Sequence, residues 1–420
     1  MNDVLNLVFD TWIDEKPVFN GKIKYPKNHF WDIEDFVKSY VNSFSDTGDE
    51  IKVNTCKITE VYENTNQKYY YFICHATINL DEIIKDDLII SNEIKECLKL
   101  CDNFNIVFFS HHESDSENGF KILNNSDLPK NQIYIINNNY KLNEYVNVHN
   151  SKIKIYSVMY LPIVVSLSLQ RDEGTEFNTD DKEKFFMCFN RGPKIQRYSL
   201  LAFMLKNNLL DDTNWSFIPL GSVDYSYENY DEIFEDGDIK NYEDEIKILS
   251  NLKLKISDYE KTELSFDDNN EITILNPRYI NTLSPPDMPL NYKNSYVNIV
   301  TETKFLDKEN VIQISEKSFK PFFYYQFPII LATHHHMKSL KEKYDFDLFD
   351  DVIDHSYDNE PDQKKRFKMF CAEIKRLHDN KDDLMEFYKN NRHRFEENKR
   401  KVIDIGKNKS DYYFMKTLLN

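Results

Sequence analysis

Along this chain, short apolar runs alternate with stretches whose apolar residues recur every three or four positions. Ile106-Val-Phe-Phe-Ser, Gln132-Ile-Tyr-Ile-Ile, Lys152-Ile-Lys-Ile-Tyr-Ser-Val, Phe185-Phe-Met-Cys-Phe-Asn, Trp215-Ser-Phe-Ile-Pro, Tyr296-Val-Asn-Ile-Val-Thr and Phe327-Pro-Ile-Ile-Leu have the length and the β-branched or aromatic content of buried strands. Helical spacing separates them, from Glu93 to Cys101 and again where Tyr198, Leu201, Ala202, Leu205 and Leu209 share a face. Strands alternating with helices predict parallel βαβ units and open sheets.

The first hundred residues are less regular. Trp31 to Val41 has helical spacing, and Ile51–Tyr62 and Tyr69–Thr77 read as two strands across the turn Asn64-Thr-Asn-Gln. This α/β lead-in, residues 1–90, is expected to decorate a core. The charged stretch Arg171–Lys182 marks a linker. It divides an amino-terminal domain, 1–180, from a carboxy-terminal one, 181–380, with an acidic, tyrosine-rich insertion over 224–270. Helices of mixed charge from about Lys364 to Asn398, with another near Asp411–Leu419, lead into a helical tail over 381–420. The expected fold is α/β, two open parallel-sheet halves with that tail.

Composition narrows the function. With 420 residues, 40% hydrophobic, the chain can bury more than one core. A formal charge of −18 disfavours a protein built to grip duplex nucleic acid. No apolar run approaches the roughly 20 residues of a membrane span, and Met1-Asn-Asp-Val-Leu lacks the basic start of a signal peptide, so the expected location is cytoplasmic. The 6 cysteines have no metal-ligand spacing and read as reduced thiols. Only 8 glycines occur, and no group of them makes a dinucleotide fingerprint or a phosphate loop. Ordinary NAD enzymes, P-loop NTPases and protein kinases are thereby excluded.

Three constellations could carry chemistry. Asn190-Arg-Gly-Pro-Lys-Ile-Gln-Arg lies between a strand and a helix start, where free N–H groups and the cations Arg191, Lys194 and Arg197 would suit a diphosphate; a solvated basic turn is the alternative. Ile314-Ser-Glu-Lys-Ser-Phe-Lys-Pro follows the strand ending in Thr301-Glu302. If Ser315 caps a helix, Glu316 and Lys317 fall in its first turn, Phe319, Phe322, Phe323 and Gln326 face inward, and Pro321 loosens the backbone; the alternative is a packing helix with exposed charges. Ser110-His-His-Glu-Ser-Asp-Ser stands at a strand's carboxyl end, where ligands of open α/β sheets bind. His334-His-His, Asp236-Gly-Asp and Asp345-Phe-Asp imitate metal sites but lack further ligands or lie in strongly charged sequence.

Val297 to Leu331, with Thr-Glu-Thr, Ser-Glu-Lys and Phe-Pro-Ile-Ile-Leu, resembles the donor-binding core of fucosyltransferase-type glycosyltransferases. The chain is also similar to phage and bacterial glycosyltransferase-like proteins that carry an Asn-Arg-Xaa-Pro-Xaa-Xaa-Xaa-Arg segment upstream of a Ser/Thr-Glu-Lys-Xaa-Xaa-Lys-Pro segment, and the resemblance covers roughly residues 185–205 and 296–358. The resemblance implies a GT-B-like fold, two Rossmann-like domains facing across a cleft. Arg197 and Lys317 would bind the pyrophosphate, and Glu302 and Glu316 the ribose or sugar hydroxyls, although Thr303 stands where the family has Asn. Glu113 matches the proposed general base, with Asp115 in place of the family's Pro; His111 or His112 could serve instead, and a solvated loop is the alternative. The expected activity is transfer of a sugar from a nucleotide-diphosphate sugar to a glycan or other hydroxyl-bearing acceptor, with inversion. It needs no cofactor and no metal, since Arg197, Lys317, Arg191 and a helix amino terminus can stabilise the leaving diphosphate. Two rival readings are a transferase acting on modified bases of viral DNA, for which a basic strip from Lys364 to Lys401 leaves room, and a non-catalytic GT-B-like scaffold.

Overall fold

The computed structural model describes residues 4–9, 11–13, 16–18, 52–75, 90, 92–110, 117–137, 139, 141–157, 176–190, 194–217, 232–235, 238–250, 264–266, 272–274, 290–306 and 311–407. The chain falls into two compact units, one comprising Met1–Tyr160, Glu309–Gln313 and Asn408–Asn420, the other Leu161–Lys308 and Ile314–Lys407.

The first unit is built on a six-stranded parallel sheet. Its strands are β1 (Val4–Phe9), β4 (Lys52–Lys57), β5 (Tyr69–His75), β6 (Phe104–Ser110), β7 (Ile133–Asn137) and β8 (Lys154–Ser157), in the order β4-β1-β5-β6-β7-β8. Between β1 and β4 lies a small antiparallel pair, β2 (Thr11–Ile13) with β3 (Lys16–Val18). Phe104, Ile106, Phe108, Ile133 and Ile135 are buried together with Ile94, Cys97 and Phe120 from the covering helices. These helices, Asn92–Leu100, Glu117–Asn125 and Leu142–His149, are the crossovers that parallel pairing requires.

Two expectations for this region need correction. The run expected as a strand over 51–62 divides: β4 stops at Lys57 and a helix, Ile58–Glu63, begins. Glu60 explains the break, because its side chain reaches back to accept the Lys57 N–H at 2.9 Å and so satisfies a donor at the helix start. Nor do the two expected strands form a hairpin. β1 lies between β4 and β5 and pairs parallel to both, so the amino-terminal residues supply half of the sheet instead of decorating it. The expected helix over 31–41 and the last one near Asp411–Leu419 lie outside the described residues.

The second unit carries a four-stranded parallel sheet, β9 (Lys184–Asn190), β10 (Thr213–Phe217), β13 (Ser295–Thr301) and β14 (Phe327–Leu331), in the order β10-β9-β13-β14. A further pair, β11 (Leu264–Phe266) at the end of the insertion and β12 (Ile272–Ile274) just after it, is antiparallel. Every residue of β13 and β14 is buried, as a strand covered on both faces must be. The helix Ile195–Lys206, which follows β9, is likewise enclosed from Ile195 through Met204.

The carboxy-terminal helices Gln363–Asp379, Lys381–Asn390 and Arg392–Lys407 pack on this unit. Phe395 stacks on Phe349 at 4.5 Å and meets Phe327 of β14 edge-on at 5.0 Å. Tyr388 meets Tyr296 of β13 edge-on at 5.2 Å. Each such buried ring contributes about 2–3 kcal/mol by desolvation, which ties these helices to the sheet. Cys56, Cys97, Cys101, Cys188 and Cys371 are free buried thiols. Two parallel sheets with covering helices and a helical carboxy-terminal region match the expected α/β class.

Candidate functional site

The second sheet has one position where its winding reverses. β9 connects outward to its neighbour β10, while β13 connects the other way to β14, so the chain turns away on both sides of the β9/β13 pair. Beyond the carboxyl ends of such strands the flanking loops part, and open α/β sheets bind ligands there. Asn190 ends β9, Thr301 ends β13, and Leu331 ends β14.

Several hydrogen bonds cross these ends. Arg197, in the first turn of the helix after β9 and 6% exposed, donates from Nε to Thr301 Oγ1 at 3.1 Å and from Nη2 to the Thr301 carbonyl at 3.2 Å. Thr301 Oγ1 then donates to Asn190 Oδ1 at 2.6 Å. Gln196 donates to the carbonyl of Glu302 at 3.1 Å, and the Glu302 N–H extends the β13/β14 ladder to the Leu331 carbonyl at 2.9 Å. The guanidinium is thereby held at the β9/β13 edge by Thr301, whose hydroxyl is bonded in turn to Asn190 of β9.

Glu302 is the hub of the other half. Its side chain accepts from the Ser315 N–H at 3.2 Å, from Ser315 Oγ at 2.8 Å to each oxygen, from Ser318 Oγ at 2.6 Å and from the Thr303 N–H at 3.3 Å. Lys317 joins through Ser315, whose Oγ accepts from Lys317 Nζ at 3.2 Å and from its N–H at 3.3 Å. Ser318 Oγ also meets His336 Nε2 at 2.9 Å. Arg197 and Lys317, far apart in sequence, thus hang on neighbouring residues at the end of one strand.

Glu302 is 1% exposed and its oxygens serve Ser315, Ser318 and Thr303. One expectation needs correction: the segment after Ser315 is not one capped helix. A single 3-10 turn, Glu316–Ser318, gives way to a four-residue helix, Lys320–Phe323, with Pro321 inside its first turn, where the missing N–H costs nothing. Phe319, Phe322, Phe323 and Gln326 are nonetheless all buried, as expected of the inward positions.

The remaining candidates are distributed as follows. Lys194 is the exposed residue before the helix Ile195–Lys206 and makes no side-chain cap there. The backbone of Glu316 opens the 3-10 turn. Arg191, and Glu113 with His111 and His112, lie outside the described residues; β6, ahead of Glu113, ends at Ser110.

Tyr357 and Asp358, which the resemblance to phage-like proteins marks as structural landmarks of unknown role, stand beside this site. Asp358 caps the helix His336–Tyr344: its carboxylate accepts the N–H groups of Met337 and Lys338, each at 3.0 Å, and its carbonyl accepts that of His335 at 2.7 Å. Tyr357 Oη accepts the Ile330 N–H at 3.3 Å, anchoring the same turn to β14. The pair Ser315 and Ser318, three apart around Glu316-Lys317, was visible in the sequence, but its shared partner was not.

Histidines 334–336 do not act as a group. His334 and His335 occupy a turn, while His336 enters the helix fully buried. Asp345 is paired with Lys401 at 2.8 Å and Asp347 with Arg394 at 2.5 Å, which explains their spacing as ion pairs. The basic strip is similarly matched. Lys368, Lys375, Arg376, Lys381, Lys389, Arg392, Arg394, Arg400 and Lys401 each face a carboxylate, which leaves less positive charge for a phosphate backbone.

Burial pushes the pKa of His336 down, against the pull of Glu302 and Asp358, and burial does the same to His355. In the unfolded chain both titrate near about 6.5. The folded state then binds fewer protons than the unfolded one, so this contribution is complete above that pH and declines as the pH falls below it. Unfolding free energies from urea titration are expected to be lower at pH 5.5 than at pH 7.5, by up to about 1.4 kcal/mol per histidine for each pH unit below the unfolded value. Equal values, or higher ones in acid, would contradict the buried neutral rings.

No protein-family model matches the sequence, and no curated protein does. Two solved structures are similar in chain path. One is the DNA-modifying enzyme β-glucosyltransferase, studied with and without its substrate uridine diphosphoglucose, at 9% identity and a TM-score of 0.30, with 96% of this chain and 99% of that chain covered. The other is the catalytic domain of starch synthase IV from Arabidopsis thaliana bound to ADP and acarbose, at 12% identity and a TM-score of 0.35, with 86% of this chain and 74% of that chain covered. Values this low carry neither protein's substrate to this chain.

Proposed function

We propose that this protein is a glycosyltransferase whose second unit binds a nucleotide-diphosphate sugar at the carboxyl edge of β9 and β13 and passes the sugar to an acceptor hydroxyl. The observation that carries the reading is that Arg197 and Lys317 attach to adjoining residues at the point where the sheet reverses, Arg197 to Thr301 and Lys317, through Ser315, to Glu302. A diphosphate leaving group needs fixed positive charge at its oxygens. Here the backbone of β13 and the Ser315–Ser318 turn hold both cations before any ligand arrives, so little reorganisation is required on binding.

In this reading Lys317 contacts the diphosphate and Arg197 supplies a second charge from beneath, with Arg191, Lys194 and the start of the helix after β9 completing the anion site. Glu316 contacts the ribose or sugar, and Glu302 keeps the turn in place. Glu113 removes the acceptor proton as the nucleotide departs from the opposite face, giving inversion without a metal. These two roles rest on the sequence resemblance.

Screening UDP, GDP, dTDP and CMP sugars by thermal shift tests the donor site. A ligand present at about one hundred times its dissociation constant adds about 2.7 kcal/mol to stability. A diphosphate sugar is expected to raise the melting temperature and the monophosphate CMP sugars to do less. Flat melts across the whole set would defeat the assignment.

A further inference from the structure

Ser318 stands between Glu302 and His336, and its single proton settles the direction of the relay. At 2.6 Å from a carboxylate that can only accept, the Ser318 hydroxyl must donate to Glu302 Oε1. It then has only lone pairs left for His336 Nε2 at 2.9 Å, so that nitrogen carries the proton. The other ring nitrogen, Nδ1, is buried and has no hydrogen-bond partner among the described residues, as suits a neutral imidazole whose bare nitrogen needs no acceptor. His336 itself is fixed at the start of a helix whose first N–H groups are held by Asp358, and Phe319, next to Ser318, packs edge-on against Tyr344 of the same helix at 5.1 Å.

From this arrangement we infer that His336 is a positioning residue for the donor site: as an Nε2–H donor it orients the Ser318 hydroxyl towards Glu302 and so holds the Glu316–Ser318 turn that presents Lys317. The inference deepens the donor-site reading and rests on it for its effect on ligand binding, while the relay itself is a property of the protein alone. Loss of the donor leaves Ser318 free to turn and Glu302 to share fewer fixed partners, and the cost appears where the turn meets the ligand.

The test uses the full chain, with His336→Phe to delete the donor and His336→Gln to return an amide N–H near the position of Nε2. With UDP and GDP as probes, the Phe variant is expected to bind about tenfold more weakly and the Gln variant to recover to within about threefold of the parent, as for one hydrogen bond at a charged site. Amide exchange in the 314–319 segment is expected to quicken in the Phe variant and return in the Gln variant. Ring-nitrogen NMR of the unaltered protein should show one histidine, absent from both variants, as the Nε2–H tautomer at neutral pH.

An Nδ1–H tautomer or a doubly protonated ring at that position overturns the inference, even if neither variant folds. Equal weakening by Phe and Gln also overturns it, because a merely space-filling role would not distinguish them. If neither nucleotide binds even the parent protein, the donor-site reading fails by itself, and the spectrum with the exchange data still decides the relay: the Nε2–H tautomer with quickened exchange upholds it, and any other combination rejects it.

Discussion

Lys317→Ala is expected to lower kcat/KM for sugar transfer by about a hundredfold or more, a loss of about 2.7 kcal/mol in transition-state stabilisation. The reason is the timing of charge. As the bond to the sugar breaks, negative charge gathers on the diphosphate, and an ammonium held in place beforehand meets it without rearrangement. Lys317 is held in this way, with both its N–H and its Nζ directed to Ser315 Oγ. The fold should survive, since the side chain is half-buried and its bond to Ser315 is of a kind that contributes about 1 kcal/mol. Steady-state kinetics beside urea titration separate the two effects. Parental kcat/KM in a folded Ala variant would remove Lys317 from the site and with it the strongest support for the proposed activity.

Glu302→Ala should have the largest effect on stability, about 3 kcal/mol or more. Ser315, Ser318 and Thr303 would lose the oxygens they share, inside a region where water does not replace them, and bonds to a charged acceptor are worth about 1.5–3 kcal/mol each. Glu302→Gln keeps the volume and one acceptor oxygen, and the two serine hydroxyls can turn to accept from the new amide. Its cost should be about half as large. Donor binding is expected to weaken in both variants, because Lys317 reaches the strand end through Ser315. A Glu302→Ala variant as stable as its parent in urea would mean that the carboxylate is not the organising group, and a Gln variant less stable than the Ala variant would say the same.

The legible part of the candidate site was its position along the chain. Asn190 to Arg197 and Ser315 to Pro321 were recognisable as strand-to-helix junctions because each follows a run too apolar and too short to be anything but a buried strand. What each side chain does there was not legible. An isolated Glu-Thr-Lys reads as solvated charge, and nothing local says that Glu302 will be enclosed by two serines thirteen and sixteen positions later. His336 was hidden in a triplet whose members point to different fates, one into a helix and two into the preceding turn. The break at Lys57 was missed for a related reason: a β-branched, alternating run favours a strand, and one glutamate that satisfied a backbone donor was enough to start a helix instead.

By itself the sequence determined the βα rhythm, the absence of glycine-rich phosphate loops and the segments that could carry cations, because periodicity, turn chemistry and charge act over a few residues. Tertiary structure decided the order of the strands, which inserts β1 between β4 and β5 and places β9 beside β13, and so chose which strand ends share an edge. It also decided that Arg197 and Lys317 meet the same strand end, that Glu302 turns inward and that His336 stands behind Ser318. Those choices depend on contacts between residues more than a hundred positions apart in the case of Arg197 and Thr301, where |i−j| is 104. Their free energy comes from packing and from the demand that every buried polar group find a partner, and neither can be evaluated until the chain has closed on itself.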